Sequence, residues 1–425
     1  MSEHVQVWYE GELIALPKDR VVLTDRSRIL VRQACPQKRY YGYECGPSGM
    51  GVTGTVSSEY LVLGSAVHAG LEYLLKSLQV YQSGGASAGF EWNGLFIAAA
   101  SEAKADYYKR AAEGVYFAKT HNLPDEVKNR LIDEQANLAY ALVWSYAVRH
   151  AAELCAGYEI VAVEPEIPWL MDTWKDGRYL VMMSRPDAIL RDKGNGGLWT
   201  VSWKTAQKFT GEHVAKLESD LQTLTEGMAV KNMFGQPSSG TYYGYFVKGG
   251  KGTDKELGIP RYDSSLVRPW RSGGLLSVGA EQPEFFKYSY DWYDNGQLRK
   301  LGRDWKRCEI WNHVGMQEWL DWLNQGWIQQ EAGRDWIGEV VGNPTLQMFS
   351  EPAAEQMIEA VSLGEYRHLT SSVRERHTER CFDWGTPCWA FGLCWRGETV
   401  EDRLMSGMWM PRTPNHEMEN LDRGE

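Results

Sequence analysis

The sequence predicts an α/β protein with a mixed central sheet flanked by helices, on three observations. Residues 61–156 carry apolar side chains at helical spacing; residues 157–206 change to short β-rich runs separated by turn residues; residues 218–247 return to helical period and then to a strand. With 425 residues the chain can bury a large apolar interior without covalent staples. The organisation expected is an N-terminal segment (1–60), a helical region (61–156), a core (157–250), an insertion or hairpin (251–296) and C-terminal helices with a cysteine cluster (297–425).

Each element follows from local pattern. In "TDRSRILVRQACPQKRYYGYE", Ser27 reads as an N-cap and the helix after it carries Cys35 to its end, where Pro36 interrupts. A basic and aromatic group follows, Lys38, Arg39, Tyr40 and Tyr41, and then a Gly/Ser/Thr-rich connection over 46–58. Val67, Leu71, Leu74 and Leu78 predict a helix beginning near Ser65, with His68 and Glu72 one turn apart on one face. Residues 95–154 read as two long helices broken at "NLPDE". "YEIVAVEPEIPWLM", "GRYLVMMSRPDAILRD" and "GLWTVSWKTAQ" read as three strands of an antiparallel meander. "ESDLQTLTEGMAVKNMF" is helical and "GTYYGYFVKGG" a strand. Residues 250–295 lack a clean period, and "MQEWLDWLNQGW" and "AAEQMIEAVS" are amphipathic helix candidates.

Composition narrows the function classes. The N-terminus lacks the basic start and apolar run of a secretory signal, and no run approaches the roughly 20 apolar residues of a membrane span, so a cytoplasmic protein without a membrane partner is expected. In that reducing compartment a tight cysteine group points to metal or redox chemistry rather than disulfides. A net charge of -11 argues against a generic nucleic-acid coat but leaves room for a local basic groove. Nineteen tryptophans and 22 tyrosines imply mostly core packing, with some rings available to stack on bases.

Two constellations carry chemistry. Asp187 in "SRPDAIL" closes one strand and Lys204 in "TVSWKTA" follows on the next, so the two side chains can converge. An aspartate can ligate a divalent metal, and a neighbouring lysine can orient water and stabilise charge on phosphate. The second is "CFDWGTPCWAFGLCW", in which Cys381, Cys388 and Cys394 are separated by six and five residues and lack a fourth thiolate for a closed site. Iron–sulfur and zinc both remain open, although the wide spacing is unlike the close C-x-x-C pairs of zinc ribbons. Cys45, Cys155 and Cys308 lack this context.

"GSAVHAGLE", "RPDAIL", "SWKT" and "DLQTLTEGMAV" occur in the order and spacing of a known family. The chain resembles the RecB-like branch of the PD-(D/E)xK nuclease superfamily in its iron–sulfur-containing, phage-type form, over roughly residues 27–395 with the insertion uncovered. The resemblance implies a restriction-endonuclease-like core and a metal-dependent DNA exonuclease or flap-type nuclease of recombination, repair or phage replication. It would make His68 and Asp187 ligands of Mg2+ or Mn2+, Lys204 the catalytic lysine, and Gln222 a positioning residue. It would also bring Cys35 to Cys381, Cys388 and Cys394 as ligands of a [4Fe–4S] cluster joining the two ends of the chain. Its partners would be single-stranded DNA or duplex ends, with a helicase or recombination protein alongside.

The pattern departs at position 202, where the acid of acid-x-lysine is Ser202, a poor ligand for a hard cation. Glu166 and Glu72 are the candidate substitutes; the alternative for both Glu164 and Glu166 is a solvated strand residue that does not reach the metal. Two other readings stay open: a DNA-binding protein of the same fold that does not cut, and a redox or zinc protein centred on the cysteines. Lys38, Arg39, Tyr40 and Tyr41 are candidates for DNA-backbone contact and base stacking, the alternative being a solvated helix end.

Overall fold

The computed structural model describes residues 4–54, 56–57, 59–85, 91–113, 115–116, 125–206, 220–247, 251–253, 260–262, 351–382 and 387–419. The helix expected over 316–327, Cys308 and most of the insertion lie outside them.

The chain begins with a hairpin that the sequence reading leaves unassigned, β1 (His4–Tyr9) and β2 (Glu12–Pro17). Its two-residue turn places Glu10 and Gly11 at φ 48° and 87°, the left-handed pair that matches strand twist. β3 (Val21–Asp25) leads into α1 (Arg26–Ala34), capped not by Ser27 but by Asp25, whose carboxylate accepts the Arg28 amide. Pro36 ends α1 and opens α2 (Pro36–Tyr43), leaving Cys35 at the corner between them. Two short strands, β4 (Val52–Gly54) and β5 (Val56–Ser57), precede α3 (Glu59–Val80), which starts before Ser65. α4 (Trp92–Glu113), β6 (Val115–Tyr116) and α5 (Asp125–Gly157) complete the helical region. Gly70 lets α3 and α4 touch, because a Cβ there would meet the Ala103 Cβ and the Ala99 carbonyl at 2.8 Å.

In place of three meander strands, residues 158–206 form five: β7 (Tyr158–Val163), β8 (Ile167–Thr173), β9 (Tyr179–Ser184), β10 (Ala188–Asp192) and β11 (Leu198–Ala206). α6 (Leu221–Phe234) and β12 (Ser238–Val247) follow, then a small hairpin of β13 (Lys251–Thr253) and β14 (Pro260–Tyr262). The C-terminal part holds α7 (Glu351–Thr370), α8 (Phe391–Trp395), α9 (Val400–Met405) and β15 (Trp409–Pro411), the last pairing with β4.

Among the described residues, and apart from three two-stranded pairs, the strands make two mixed sheets rather than one, ordered β2-β1-β8-β9-β3 and β12-β11-β10-β7. Proline accounts for the division: the chain crosses between the sheets at Glu164-Pro165-Glu166 and at Arg185-Pro186-Asp187, where the missing N–H cannot join a ladder. The four-stranded sheet is covered on both faces, so alternate residues enter different cores. Ala188, Leu190, Val201 and Trp203 pack with α3, α4 and α5, while Ile189 and Leu198 join Ile29, Trp169, Leu224 and Val361 on the other side. The architecture is therefore mixed α/β with mixed sheets flanked by helices. No helix among the described residues is long and apolar enough to cross a membrane.

Candidate functional site

The two crossings lie side by side, since the Glu164 amide donates to the Asp187 carbonyl at 3.0 Å. Glu164 has φ 49°, a left-handed backbone uncommon for a residue with a Cβ and concentrated at functional positions. Asp187 does not close β9; it lies between β9 and β10, its amide donating to the Val201 carbonyl of β11 at 3.2 Å. β10 and β11 pair antiparallel, which brings Asp187 against β11 at Val201 and Trp203.

His68, on α3, reaches this junction. Its Nδ1 lies 3.2 Å from Asp187 Oδ1 and 3.9 Å from Glu164 Oε1, and one ligand atom from each residue falls within 4.8 Å of the other two. The peptide of Trp203 fixes the arrangement from behind: its N–H donates to Asp187 Oδ2 at 2.5 Å, and its carbonyl accepts from His68 Nε2 at 3.2 Å. That acceptor assigns the proton to Nε2 and leaves Nδ1 facing the carboxylates. Burial alone would lower the His68 pKa, but the hydrogen bond and charge of Asp187, and then those of Glu164, push it up to about 10. Two carboxylates and an imidazole nitrogen form a donor set that suits a divalent cation, which would take the place of that proton.

Lys204 and Ser202 share the face of β11 opposite Trp203. Lys204 Nζ donates to Gln222 Oε1 at 2.6 Å, and Gln222 Nε2 donates to Ser202 Oγ at 3.0 Å and to Glu226 Oε1 at 2.6 Å. One amide thus links the lysine, the serine and a carboxylate that sequence reasoning missed. Glu226 stands four residues after Gln222 on α6, so helical spacing was the signal that could have found it. It is buried, its Oε2 has no hydrogen-bond partner among the described residues, and burial raises its pKa. Lys204 opposes that shift and the Asp187 charge adds to it.

The proposed substitutes for the acid at 202 lie elsewhere. Glu166 faces Arg185, at 3.8 Å, and accepts the Glu417 amide at 3.1 Å; it is not part of the trio, whose second carboxylate beside Asp187 is Glu164. The positive φ at Glu164 ends the regular strand there, and its carboxylate lies 3.9 Å from His68 Nδ1 instead of standing in solvent. Glu72 turns away to Lys76, 2.5 Å distant on the next turn of α3. A second trio, Asp25, His416 and Glu419, is already balanced by two guanidinium groups, Arg28 on both carboxylates and Arg412 on Glu419.

At the cysteine site the chain ends meet. Gln37 N donates to the Glu375 carbonyl at 3.2 Å, His377 Nδ1 lies 2.9 Å from the Ala34 carbonyl, and Tyr41 Oη donates to the Leu393 carbonyl at 3.2 Å. These contacts put Cys35 beside the C-terminal cysteines, whose segment is folded by bonds from Cys388 N to Cys381 O at 2.7 Å and from Cys394 N to Ala390 O at 2.9 Å. Burial pushes the Cys394 thiol up to about 11, with Cys35, Cys388 and Cys381 all adding repulsion and Arg376 opposing it. A Cys394 thiol close enough to Cys35, Cys381 and Cys388 to feel the charge of each fits a thiolate-bound metal group. Among the described residues no three cysteine sulfurs lie within 4.8 Å of one another. Cys45, by contrast, is buried and donates to the Tyr41 carbonyl.

The basic-aromatic segment divides. Arg39 is buried at 2% exposure and cannot meet DNA: it pairs with Glu365 of α7, which also binds Arg32 at 2.8 Å and Thr24 Oγ1 at 2.9 Å, and with Glu44 at 3.1 Å. Tyr40 is covered by the Arg374 guanidinium, 4.1 Å from its ring. Lys38 remains half-buried beside Cys35. Glu365→Ala should lower stability by about 3–5 kcal/mol in urea denaturation, because it leaves Arg39 buried without its partner. Burial works against the charged forms, but His368 and Arg39 hold Glu44, and Arg39 and Arg32 hold Glu365, below the usual carboxylate range. Depressed folded values stabilise above the ordinary carboxylate pKa. Stability should therefore fall as pH drops below about 4.5, and less steeply in the Glu365→Ala protein.

No protein-family model and no curated protein matches the chain. Function therefore rests on the geometry of the site.

Proposed function

We propose that the protein is a metal-dependent deoxyribonuclease whose fold is closed by an iron–sulfur cluster. The observation that carries the reading is the convergence of His68, Glu164 and Asp187 at the sheet crossing, with Lys204 following in sequence the Trp203 whose N–H holds Asp187. Bound there, Mg2+ or Mn2+ supplies Lewis-acid activation of water and neutralises phosphoryl charge. Lys204 holds its positive charge toward the scissile phosphate, and Gln222 fixes where the ammonium sits. The His68 ring is held in one tautomer by the Trp203 carbonyl, so its Nδ1 is kept for the cation.

The spacing in sequence supports a cluster over zinc at the cysteines: six and five residues separate Cys381, Cys388 and Cys394, unlike the close C-x-x-C pairs of zinc ribbons. Lys38, Arg374, Arg376 and Arg396 near this site supply cations suited to a DNA backbone, so single-stranded DNA or duplex ends remain the proposed substrate.

Lys204→Ala should retain Mn2+ binding and DNA binding yet lose roughly 100-fold or more in nucleotide release from linear DNA, as removal of one electrostatic stabiliser does. Unchanged cleavage by the variant would sink the assignment of Lys204. Release by neither protein, with DNA still bound, would favour a binding protein of this fold.

A further inference from the structure

We infer that Glu226 is a ligand of the divalent cation and carries the acidic role that position 202 does not. The inference rests on the metal reading above and adds to it the identity of a ligand outside the His68–Glu164–Asp187 trio.

Four observations lead there. Glu226 is 3% exposed, so its carboxylate has been taken out of water, yet Oε2 meets no donor. A buried acceptor left open in this way among the described residues calls for a cation or a proton. Its other oxygen accepts from the Gln222 amide nitrogen that also donates to Ser202 Oγ, which sets the Glu226 carboxylate next to the Ser202 hydroxyl, in the space an acid at 202 would claim. Finally, Glu226 is near enough to Asp187 and Lys204 for their charges to act on it, in opposite senses.

Serine at 202 then has a steric and electrostatic reason. Ser202 is fully buried, and a carboxylate there would lie against Glu226 with no water between them, two negative charges in one low-dielectric space. A small neutral side chain removes that repulsion and leaves the helix-borne glutamate free to serve. The acid has moved from strand β11 to helix α6, with Gln222 positioning both the new acid and the lysine.

The test is Mn2+ binding by calorimetry to the cluster-loaded, full-length chain and to three variants, each checked for an unchanged melting profile without Mn2+. Glu226→Gln keeps the size and the Gln222 contact, and should weaken Mn2+ by more than about tenfold, the lower end of the effect of removing even an outer-shell partner. Ser202→Asp alone should bind Mn2+ no better than the natural chain. The double variant Ser202→Asp, Glu226→Gln should recover affinity lost in Glu226→Gln, because it returns one carboxylate to the same space. Natural affinity in Glu226→Gln would overturn the inference while leaving the metal site intact. Absence of Mn2+ binding by the natural chain would overturn the metal reading itself, and the ligand assignment with it.

Discussion

Cys35→Ser is expected to bleach the protein and to unfold its C-terminal part. The natural chain, purified without oxygen, should be brown with broad absorbance near ~400 nm, and the variant colourless. Cys35 sits at the α1–α2 corner, while Cys381, Cys388 and Cys394 lie hundreds of residues later in a segment with little apolar core of its own. Binding free energies of structural metal sites, about 10–16 kcal/mol for zinc-finger peptides, match or exceed the 5–15 kcal/mol that holds an ordinary domain together. Losing one ligand should therefore remove cluster and local fold together, seen as early melting of part of the far-ultraviolet circular dichroism. Cys45→Ser is the control: Cys45 is packed in the core with its thiol on the Tyr41 carbonyl, and its replacement should leave the colour unchanged. A colourless natural chain carrying zinc would contradict the cluster assignment.

The second large effect is expected at Asp187. Asp187→Asn keeps an oxygen for the Trp203 amide, so the β10–β11 hairpin should fold, but it removes the charge that faces His68 Nδ1 at 3.2 Å. A Lewis acid contributes several kcal/mol to a transition state, and its loss corresponds to a rate decrease on the order of 10³-fold. Nucleotide release and Mn2+ affinity should fall together in this variant. Lys204→Ala, by comparison, is expected to separate the two. A variant that binds Mn2+ as the natural chain does would show that Asp187 is a structural hairpin residue.

Much of the site is legible in the sequence because its parts are local. Helical spacing finds α3 and places His68; a β-run, a turn and a second β-run bring Asp187 to Lys204; the grouping of Cys381, Cys388 and Cys394 marks one end of the cysteine site. Less legible is whatever depends on distant pairing. β3 runs parallel to β9, and β1 touches β8, across more than 150 residues of chain, and nothing local to Val21 or Trp8 names those partners. Arg39 illustrates the same limit: in sequence it belongs to a basic run, and only Glu365 arriving from α7 makes it an interior ion pair. Glu164 was hidden for a different reason. Side-chain alternation holds along a regular strand, but the proline crossing and the left-handed φ end that regularity at the residue where the chemistry lies. The "VEPE" and "SRPD" stretches share an acid beside a proline after a β-run, and that similarity was the available signal.

Cleavage of DNA by this site with a bound cation can be seen in a single add-back experiment. End-labelled linear single- and double-stranded DNA is incubated with chelator-washed, cluster-loaded protein, and Mn2+ is then added back. Nucleotides should be released only after Mn2+ returns, and Asp187→Asn and Lys204→Ala should release almost none. DNA that is bound but left intact by the natural chain, with Mn2+ present, would contradict that expectation.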